Sequence, residues 1–529
     1  MSHTLNKEFG SLRALLWPIH RHELRKLIPM LGMLFLICFS YSILRNMKDS
    51  LVITASGAEV IPFIKVWVML PMAVVLTCLF TWLSNRYSQE RVFYIMISLF
   101  LSVFALFAFV IYPMRDILHP TEAAAHLRTI LPAGFKGLIA MCCNWSFTGF
   151  YVMCELWSTS IMAVIFWGFA NEVTKIGEAR RFYGVLGVGA SCAAIIAGQT
   201  ANFLSNGGQF NSSLPFGKDA WEQMLIILIC VVIVSGIATM GIFRWMSRSV
   251  LTDPCFDDFH HAKKTTKSKG KLSVRESFAY LANSKYLMCI AVLVVAYNLV
   301  IHMTEVLWKD QLARLHPLAS DYNVYMNNLT SAIGIFATLT ALFMAKIIEK
   351  LGWTRTALIT PLMTIFTAVG FFTFLYFQDH WAGIITGLIG AAPLAIAVFF
   401  GTAQNCLIKA SKYSVFDATK EMAFIPLSHE CKLKGKAAID GVGSRIGKSG
   451  GAIVFQGLLM VSATVSACAP YVAGILVVVI ALWIIAVRTL GKQFNALVTS
   501  NGVEDSLEIP AADGWIDPQK PVQEAPVRT

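Results

Sequence analysis

Long apolar stretches, separated by short polar or charged breaks, recur along the whole chain. A helix of about 20 residues crosses a hydrocarbon core of about 30 Å, and most of these stretches reach that length. They lack the alternation of barrel strands, so we expect membrane-spanning helices. The predicted spans are residues 28–47, 61–84, 92–113, 137–172, 182–203 and 223–246, then 285–308, 325–350, 355–377, 382–408, 436–461 and 468–490. We interpret the long fourth span as one bent helix, and two short helices would also fit its pattern.

Composition excludes a water-soluble fold. Of the 529 residues, 56% are apolar and only 14% are charged, and the mean hydropathy is +0.63, whereas soluble domains carry about 25% charged residues. We expect no cleavable signal peptide, because the polar start leads directly into a full-length apolar span. The twelve cysteines show no paired CxxC spacing, so we interpret them as small apolar side chains and predict neither a metal site nor a cofactor.

Lysine and arginine are concentrated in alternate loops, which assigns those loops and both termini to the cytoplasm. Twelve spans in a bacterial inner membrane satisfy this pattern, with a monomer as the working hypothesis. A basic linker between membrane halves follows from topology alone, so we infer no nucleic-acid partner. The expected parts are a cytoplasmic N-terminus (1–27), a six-helix half (28–246), a basic linker (247–284), a second six-helix half (285–492) and a disordered tail (493–529).

The two halves resemble each other weakly. The string YSILRNMKDSLV from Tyr41 aligns with YNLVIHMTEVLW from Tyr297, which sets Asp49 opposite Glu305. Two six-helix repeats around a central cavity are the architecture of major-facilitator carriers. We therefore expect an all-α, polytopic membrane protein of that type, with twelve transmembrane helices in two halves.

Charged residues inside the apolar spans indicate a binding site, because a charge at the bilayer centre costs at least about 2.5 to 3.5 kcal/mol. Lys48 and Arg45 lie one helical turn apart near the end of the first span, where they form an anion clamp or extend to the headgroups. Glu155 shares a polar stripe with Asn144, and a structural ion pair is its alternative role. Glu305 is also a candidate, although a lysine four residues later offers it a local partner.

The segment from Lys436 to residue 461 supplies the remaining candidates. Asp440 and Lys448 lie on one helical stripe, and Arg445 is close to both in sequence. We interpret Lys448 as a substrate ligand and the surrounding glycines as a packing face. The letters GKS do not make a P-loop, because Val442 occupies the position of its first glycine. We therefore predict binding without bond breaking, and no enzyme.

Several cationic side chains beside fewer acids suit a polyanion, since phosphates can replace the counter-charges of lysines in a low dielectric. Sugar phosphates, phosphate itself, organic diacids and nucleotides all meet this description. The residues alone do not choose among them.

Longer strings carry a resemblance to a known family. They are LWPIH near residue 16, LRNMKDSLVITASGAEVIPFIKVW from Leu44, FWGFANEVTKIGEARRFYGVLGVGA from Phe166, VLTDP from Val250, FDATKEMAFIPL from Phe416 and KGKAAIDGVGSRIGKSGG from Lys434. These strings resemble the ATP:ADP translocase family, the non-mitochondrial nucleotide transporters of plastids and obligate intracellular bacteria. The resemblance extends from about residue 15 to about residue 495, and this family is unrelated to the mitochondrial carrier fold.

The resemblance implies exchange of external ATP for internal ADP or, as in some relatives, proton-coupled import of nucleotides. It also implies that Lys48, Glu155, Glu305 and Lys448 are the functional charges. The family commonly has an Asp-Thr pair before the first of these lysines, whereas this chain has Asn46 and Met47. Both coupling modes therefore stay open, and a major-facilitator carrier for another organic anion is a more distant alternative.

Overall fold

The computed structural model describes residues 19–174, 176–250, 284–376, 390–427 and 443–507, together with a few isolated positions between 383 and 439. Within these ranges the chain forms twelve long helices. They are α1 (Leu24–Ser56), α2 (Val60–Arg86), α3 (Gln89–Ile111), α4 (Trp145–Val173), α5 (Ile176–Leu204) and α6 (Ala220–Val250), then α7 (Lys285–Leu315), α8 (Ala319–Met344), α9 (Lys350–Tyr376), α10 (Pro393–Ser411), α11 (Ser444–Ser462) and α12 (Ala469–Leu507).

The prediction of an all-α, polytopic membrane protein is confirmed. Eleven of these helices are long and apolar enough to cross a membrane. The twelfth, α11, is less apolar than the others because it carries Arg445 and Lys448. Several predicted boundaries were wrong, and the helices extend furthest beyond the predicted spans at the ends of α1 and α12. Helix α1 continues to Ser56 instead of ending at residue 47, and α12 continues to Leu507 instead of ending at residue 490.

The structure of the region predicted as the fourth span, residues 137–172, also differs from the prediction. A short helix, Lys136–Cys143, is separated from α4 by Asn144, whose backbone leaves the helical region at φ −90° and ψ 46°. The short helix packs against the start of α2. Helix α4 begins at Trp145 and bends farther along at a π-helical segment, Ser158–Phe166. One bent helix therefore spans the membrane, and the residues before Asn144 do not belong to it.

The two groups of six helices meet mainly where α5 and α1 of the first half pack against α8 of the second half. A Cβ atom at Gly198 of α5 would collide with the backbone carbonyl of Asn327 on α8. The glycine therefore permits a close approach of the two helices. Asn46 of α1 donates to Asn327 (2.8 Å) and accepts from Thr330 (3.0 Å), so buried amides connect the two halves.

The described hydrogen bonds between the halves all lie at the same end of the bundle. They involve the C-terminal parts of α1, α5, α7 and α11 and the N-terminal parts of α2 and α8. We call this end the joined end. Because successive helices run in opposite directions, the joined end lies away from the start of α1 and from the α2–α3 and α8–α9 turns.

A charged candidate substrate site between the two halves

Helix α1 brings a lysine and an aspartate into the centre of the bundle. The Lys48 ammonium lies 2.8 Å from Oδ1 of Asp49 and 2.9 Å from Oε1 of Glu155 on α4. It also lies 3.8 Å from the centroid of the Tyr151 ring, a cation–π contact. Only 1% of the Lys48 side chain is exposed, so its charge is stabilised by these partners and not by water.

Asp49 connects the two halves. Its Oδ2 atom lies 2.8 Å from the Lys309 ammonium on α7. Lys309 also contacts Oε1 of Glu305 at 3.3 Å, and the same oxygen lies 2.9 Å from the ammonium of Lys409 on α10. Five ion pairs therefore join Glu155 in the first half to Lys409 in the second half without interruption. We call this set of six residues the ion-pair chain.

The ion-pair chain has a buried middle and two accessible ends. The side chains of Lys48, Asp49 and Lys309 are almost fully buried. Glu155 and Lys409 are 21% and 22% exposed. Solvent or a solute can therefore reach the two ends of the ion-pair chain, whereas protein shields its middle.

Further cations surround the ion-pair chain. Arg45 donates to the Thr330 hydroxyl of the other half at 3.2 Å, and the Lys65 ammonium contacts the His302 ring. Within the described part of the chain, neither Arg45 nor Lys65 pairs with a carboxylate. Lys448 is exposed and lies within electrostatic range of His302. Among the described residues, the group that includes these three holds six cations and three carboxylates, an excess of three positive charges.

The structure brings three of the predicted residues together, because Lys48, Glu155 and Glu305 all belong to the ion-pair chain. Lys448 lies on α11 near His302. Arg45 lies beside Lys48, and the alternative in which both side chains extend to the headgroups was wrong, since both contact protein partners inside the bundle.

The other predicted residues lie elsewhere or are not described. Asn144 donates to the Ser56 hydroxyl at 2.6 Å, at the end of α1, and it is the N-cap residue of the helix that carries Glu155. The stripe shared by Asn144 and Glu155 stays a prediction. Asp440 lies outside the described residues, and Arg445 is described only as part of helix α11.

The sequence reasoning did not select five charged or titratable residues of this site. They are Asp49, Lys65, His302, Lys309 and Lys409. The internal repeat offered a signal for Asp49, which aligned with Glu305, and in the structure both carboxylates contact Lys309. Lys409 lies directly after the predicted end of the tenth span at residue 408, but it belongs to α10 and pairs with Glu305.

The fold and the site together define a polytopic α-helical membrane protein with a major-facilitator-like fold and a cationic centre. The crystal structure of a bacterial homologue of the iron transporter ferroportin, in an inward-facing state, superimposes with a TM-score of 0.54 over 89% of this chain and 100% of that chain, at 12% identity. The D-xylose-proton symporter superimposes with a TM-score of 0.51 over 88% and 97%, at 11% identity. At these identities the similarity concerns the fold alone.

The sequence comparisons identify the family. The family model described as TLC ATP/ADP transporter matches residues 2–494. ADP,ATP carrier protein 1 of Chlamydia pneumoniae is 44% identical over 94% of this chain and 96% of its own length. The protein of the same name from Rickettsia bellii is 40% identical over 94% of this chain and 99% of its own length. The chloroplastic ADP,ATP carrier protein 1 from Arabidopsis thaliana is 39% identical over 92% of this chain and 76% of its own length. The chain belongs to the TLC ATP/ADP transporter family, a family of multi-pass membrane proteins, as its sequence motifs predicted.

Proposed function

We propose that this protein exchanges ATP for ADP across a bacterial inner membrane by alternating access, without breaking bonds in its substrate. The observation that supports this most is the cationic excess around the ion-pair chain. A nucleoside diphosphate or triphosphate carries about three or four negative charges at neutral pH, because a terminal phosphate carries about −1.5 to −2. Six cations and three carboxylates therefore match such a substrate in charge.

The carboxylates of the ion-pair chain explain how the site remains stable between substrates. When no substrate is bound, Glu155 and Glu305 neutralise lysines that would otherwise lack a negative partner. An uncompensated ammonium in this interior would cost several kcal/mol. When a polyphosphate enters, its oxygens compete with the two glutamates for the same N–H donors. The substrate therefore rearranges the contacts of Lys48 and Lys309, the two lysines that also pair with Asp49 where the ion-pair chain passes from one half to the other.

The proposed orientation follows from the charges at the helix ends. Both termini and the basic α2–α3 and α8–α9 turns face the cytoplasm, so the joined end faces outward. In this arrangement the halves are held together on the outer side by Asp49 and Lys309. The accessible glutamates and Lys448 then receive substrate from the cytoplasmic side. Alternating access requires that these outer contacts separate and that the halves rock about the site.

The test uses the purified full-length protein in lipid vesicles. We expect vesicles loaded with ADP to take up labelled ATP, and empty vesicles to take up very little. Uptake by empty vesicles that a protonophore abolishes would instead support proton-coupled import. Vesicles that exclude ATP under both conditions would contradict nucleotide transport and leave a carrier of another organic anion.

A pair of lysine variants tests whether the site binds the phosphates. Lys448→Gln removes a cation from the exposed face of α11, and we expect the KM for ATP to rise by about tenfold or more, since a charge-assisted hydrogen bond contributes about 1.5 to 3 kcal/mol. Lys350→Gln is the control, because Lys350 is an exposed lysine at the start of α9. Unchanged ATP uptake in Lys448→Gln would remove Lys448 from the site.

A further inference from the structure

Lys65 is a lysine inside the bundle whose described partner is neutral. It lies near the start of α2, in a π-helical segment, Ile64–Val68, of the kind that often occurs at functional sites. Its ammonium lies 3.0 Å from Nε2 and 3.2 Å from Nδ1 of His302 on α7. A neutral imidazole has one acceptor nitrogen, so it accepts one of the three N–H groups of Lys65. The remaining donors are available to a ligand.

The carboxylates nearby already have partners. Glu305 lies one turn from His302 on α7. Its carboxylate attracts the Lys65 ammonium electrostatically, although the two groups lie beyond ion-pair distance. Its Oε1 atom contacts Lys309 and Lys409 at 3.3 Å and 2.9 Å. Lys65 is therefore a half-buried cation near the joined end whose described surroundings do not supply a paired anion. A polar cation in such a place needs water or an anionic ligand.

Helix α11 borders the same gap and carries a second lysine, Lys448. The His302 side chain packs against Gly451 of α11, where an added Cβ atom would lie 3.5 Å from Cβ of His302. Lys448 lies one turn before Gly451 and acts electrostatically on His302. Gln456 of α11 donates to the backbone carbonyl of Pro62 on α2 at 2.8 Å, so α2, α7 and α11 converge here.

We propose that Lys65 and His302 form a phosphate-binding subsite for the polyphosphate of the substrate, separate from the ion-pair chain. This inference rests on the proposed nucleotide transport. Lys65 donates directly to a non-bridging phosphate oxygen. His302 acts as a positioning residue, because it accepts one N–H of Lys65 and directs the others into the gap. A phosphate chain seated between Lys65 and Lys448 would contact both halves at once, since α2 and α11 belong to different halves.

The experiment measures ATP uptake into ADP-loaded vesicles and its inhibition by inorganic tripolyphosphate, which has the phosphates without the nucleoside. For Lys65→Gln we expect the KM for ATP and the half-inhibitory concentration of tripolyphosphate to rise by about tenfold, the effect of losing about 1.4 kcal/mol. Lys65→Arg keeps the charge and should stay near the parent values. Lys136→Gln is the matched control, because Lys136 is an exposed lysine paired with Glu59 at 3.0 Å.

Two His302 variants test its positioning role. His302→Gln keeps an acceptor for Lys65 and should preserve the KM, whereas His302→Leu removes the acceptor and should raise the KM as Lys65→Gln does. Combined with Lys65→Gln, His302→Leu should add little, since both changes act on the same contact. Full additivity of the two effects would overturn the positioning role. These His302 variants also test the subsite if Lys65→Gln does not fold.

The failure of this inference is distinguishable from the failure of the proposed function. Normal ATP uptake with an unchanged KM and unchanged tripolyphosphate inhibition in Lys65→Gln would overturn the subsite alone. If the parent protein takes up no ATP, binding of tripolyphosphate is measured as thermal stabilisation of the purified carrier. Stabilisation of the parent that Lys65→Gln weakens by about tenfold in concentration supports the subsite, and equal stabilisation of both proteins overturns it.

Discussion

Asp49→Asn is the substitution that most directly tests how the two halves are held together. In the parent protein the Asp49 carboxylate lies 2.8 Å from both Lys48 and Lys309, and the latter contact joins α1 to α7. The amide of asparagine keeps the size of the side chain but removes the negative charge. Both lysines keep another carboxylate, since Lys48 contacts Glu155 and Lys309 contacts Glu305. The variant should therefore fold.

The magnitude follows from the loss of one of the contacts that join the halves. A charge-assisted hydrogen bond contributes about 1.5 to 3 kcal/mol, and of the two Asp49 contacts only the one to Lys309 joins the two halves. Losing that contribution would increase the population of the arrangement with a separated outer end by roughly 10- to 150-fold relative to the joined arrangement. Transport should slow if return to the joined arrangement limits the cycle.

The assay uses a cysteine introduced at Ser50, which is fully buried and accepts a hydrogen bond from Asn323 of the other half. A membrane-impermeant thiol reagent added outside should label Ser50→Cys faster when Asp49→Asn is also present. The same chain without Ser50→Cys corrects for the native cysteines. Asp310→Asn is the matched control, because Asp310 pairs with Arg314 inside the second half. Equal labelling rates in the Asp49 and Asp310 variants would refute the idea that Asp49 holds the outer end closed.

Two further predictions concern packing and pH. Gly198→Val places a side chain against the Asn327 carbonyl, so we expect overpacking between α5 and α8 to cost about 1 to 3 kcal/mol. The Ser50→Cys thiol should then be labelled faster. The control is Gly241→Val, whose side chain enters open space and should leave the labelling rate of Ser50→Cys unchanged. Burial lowers the pKa of His119, which lies outside the spans and bonds to the Ser146 hydroxyl at 2.7 Å. The unfolded chain therefore binds a proton more readily, and the stability that neutral His119 contributes is present above about pH 6.5 and lost as the pH falls below it. Between about pH 7 and about pH 5, the melting temperature of His119→Gln should fall less than that of the parent. An equal fall in both proteins would contradict a stabilising role for neutral His119. The control is His126→Gln at an exposed position, whose melting temperature should fall as much as that of the parent.

The helical membrane fold was predictable because hydropathy is a local property. Each apolar span can be recognised from its own residues alone. Because burying a charge in lipid is costly, Lys48, Glu155 and Glu305 were recognisable as candidate site residues inside those spans. The same local reading failed at helix ends. The charged pair Lys48 and Asp49 looked like the end of the first span, yet α1 continues through them to Ser56, because neighbouring helices and not lipid surround these residues.

The sequence by itself determined that this chain spans a membrane as helices, that it belongs to a nucleotide transporter family, and that a few charges lie where lipid would reject them. Only the tertiary structure decided how those charges pair. Lys309 contacts Asp49 from a position 260 residues away in sequence, and Lys409 reaches Glu305 from another helix. Such partners depend on how twelve helices pack and rotate against each other, because an ion pair is fixed by distance in space and leaves no periodic pattern in the sequence.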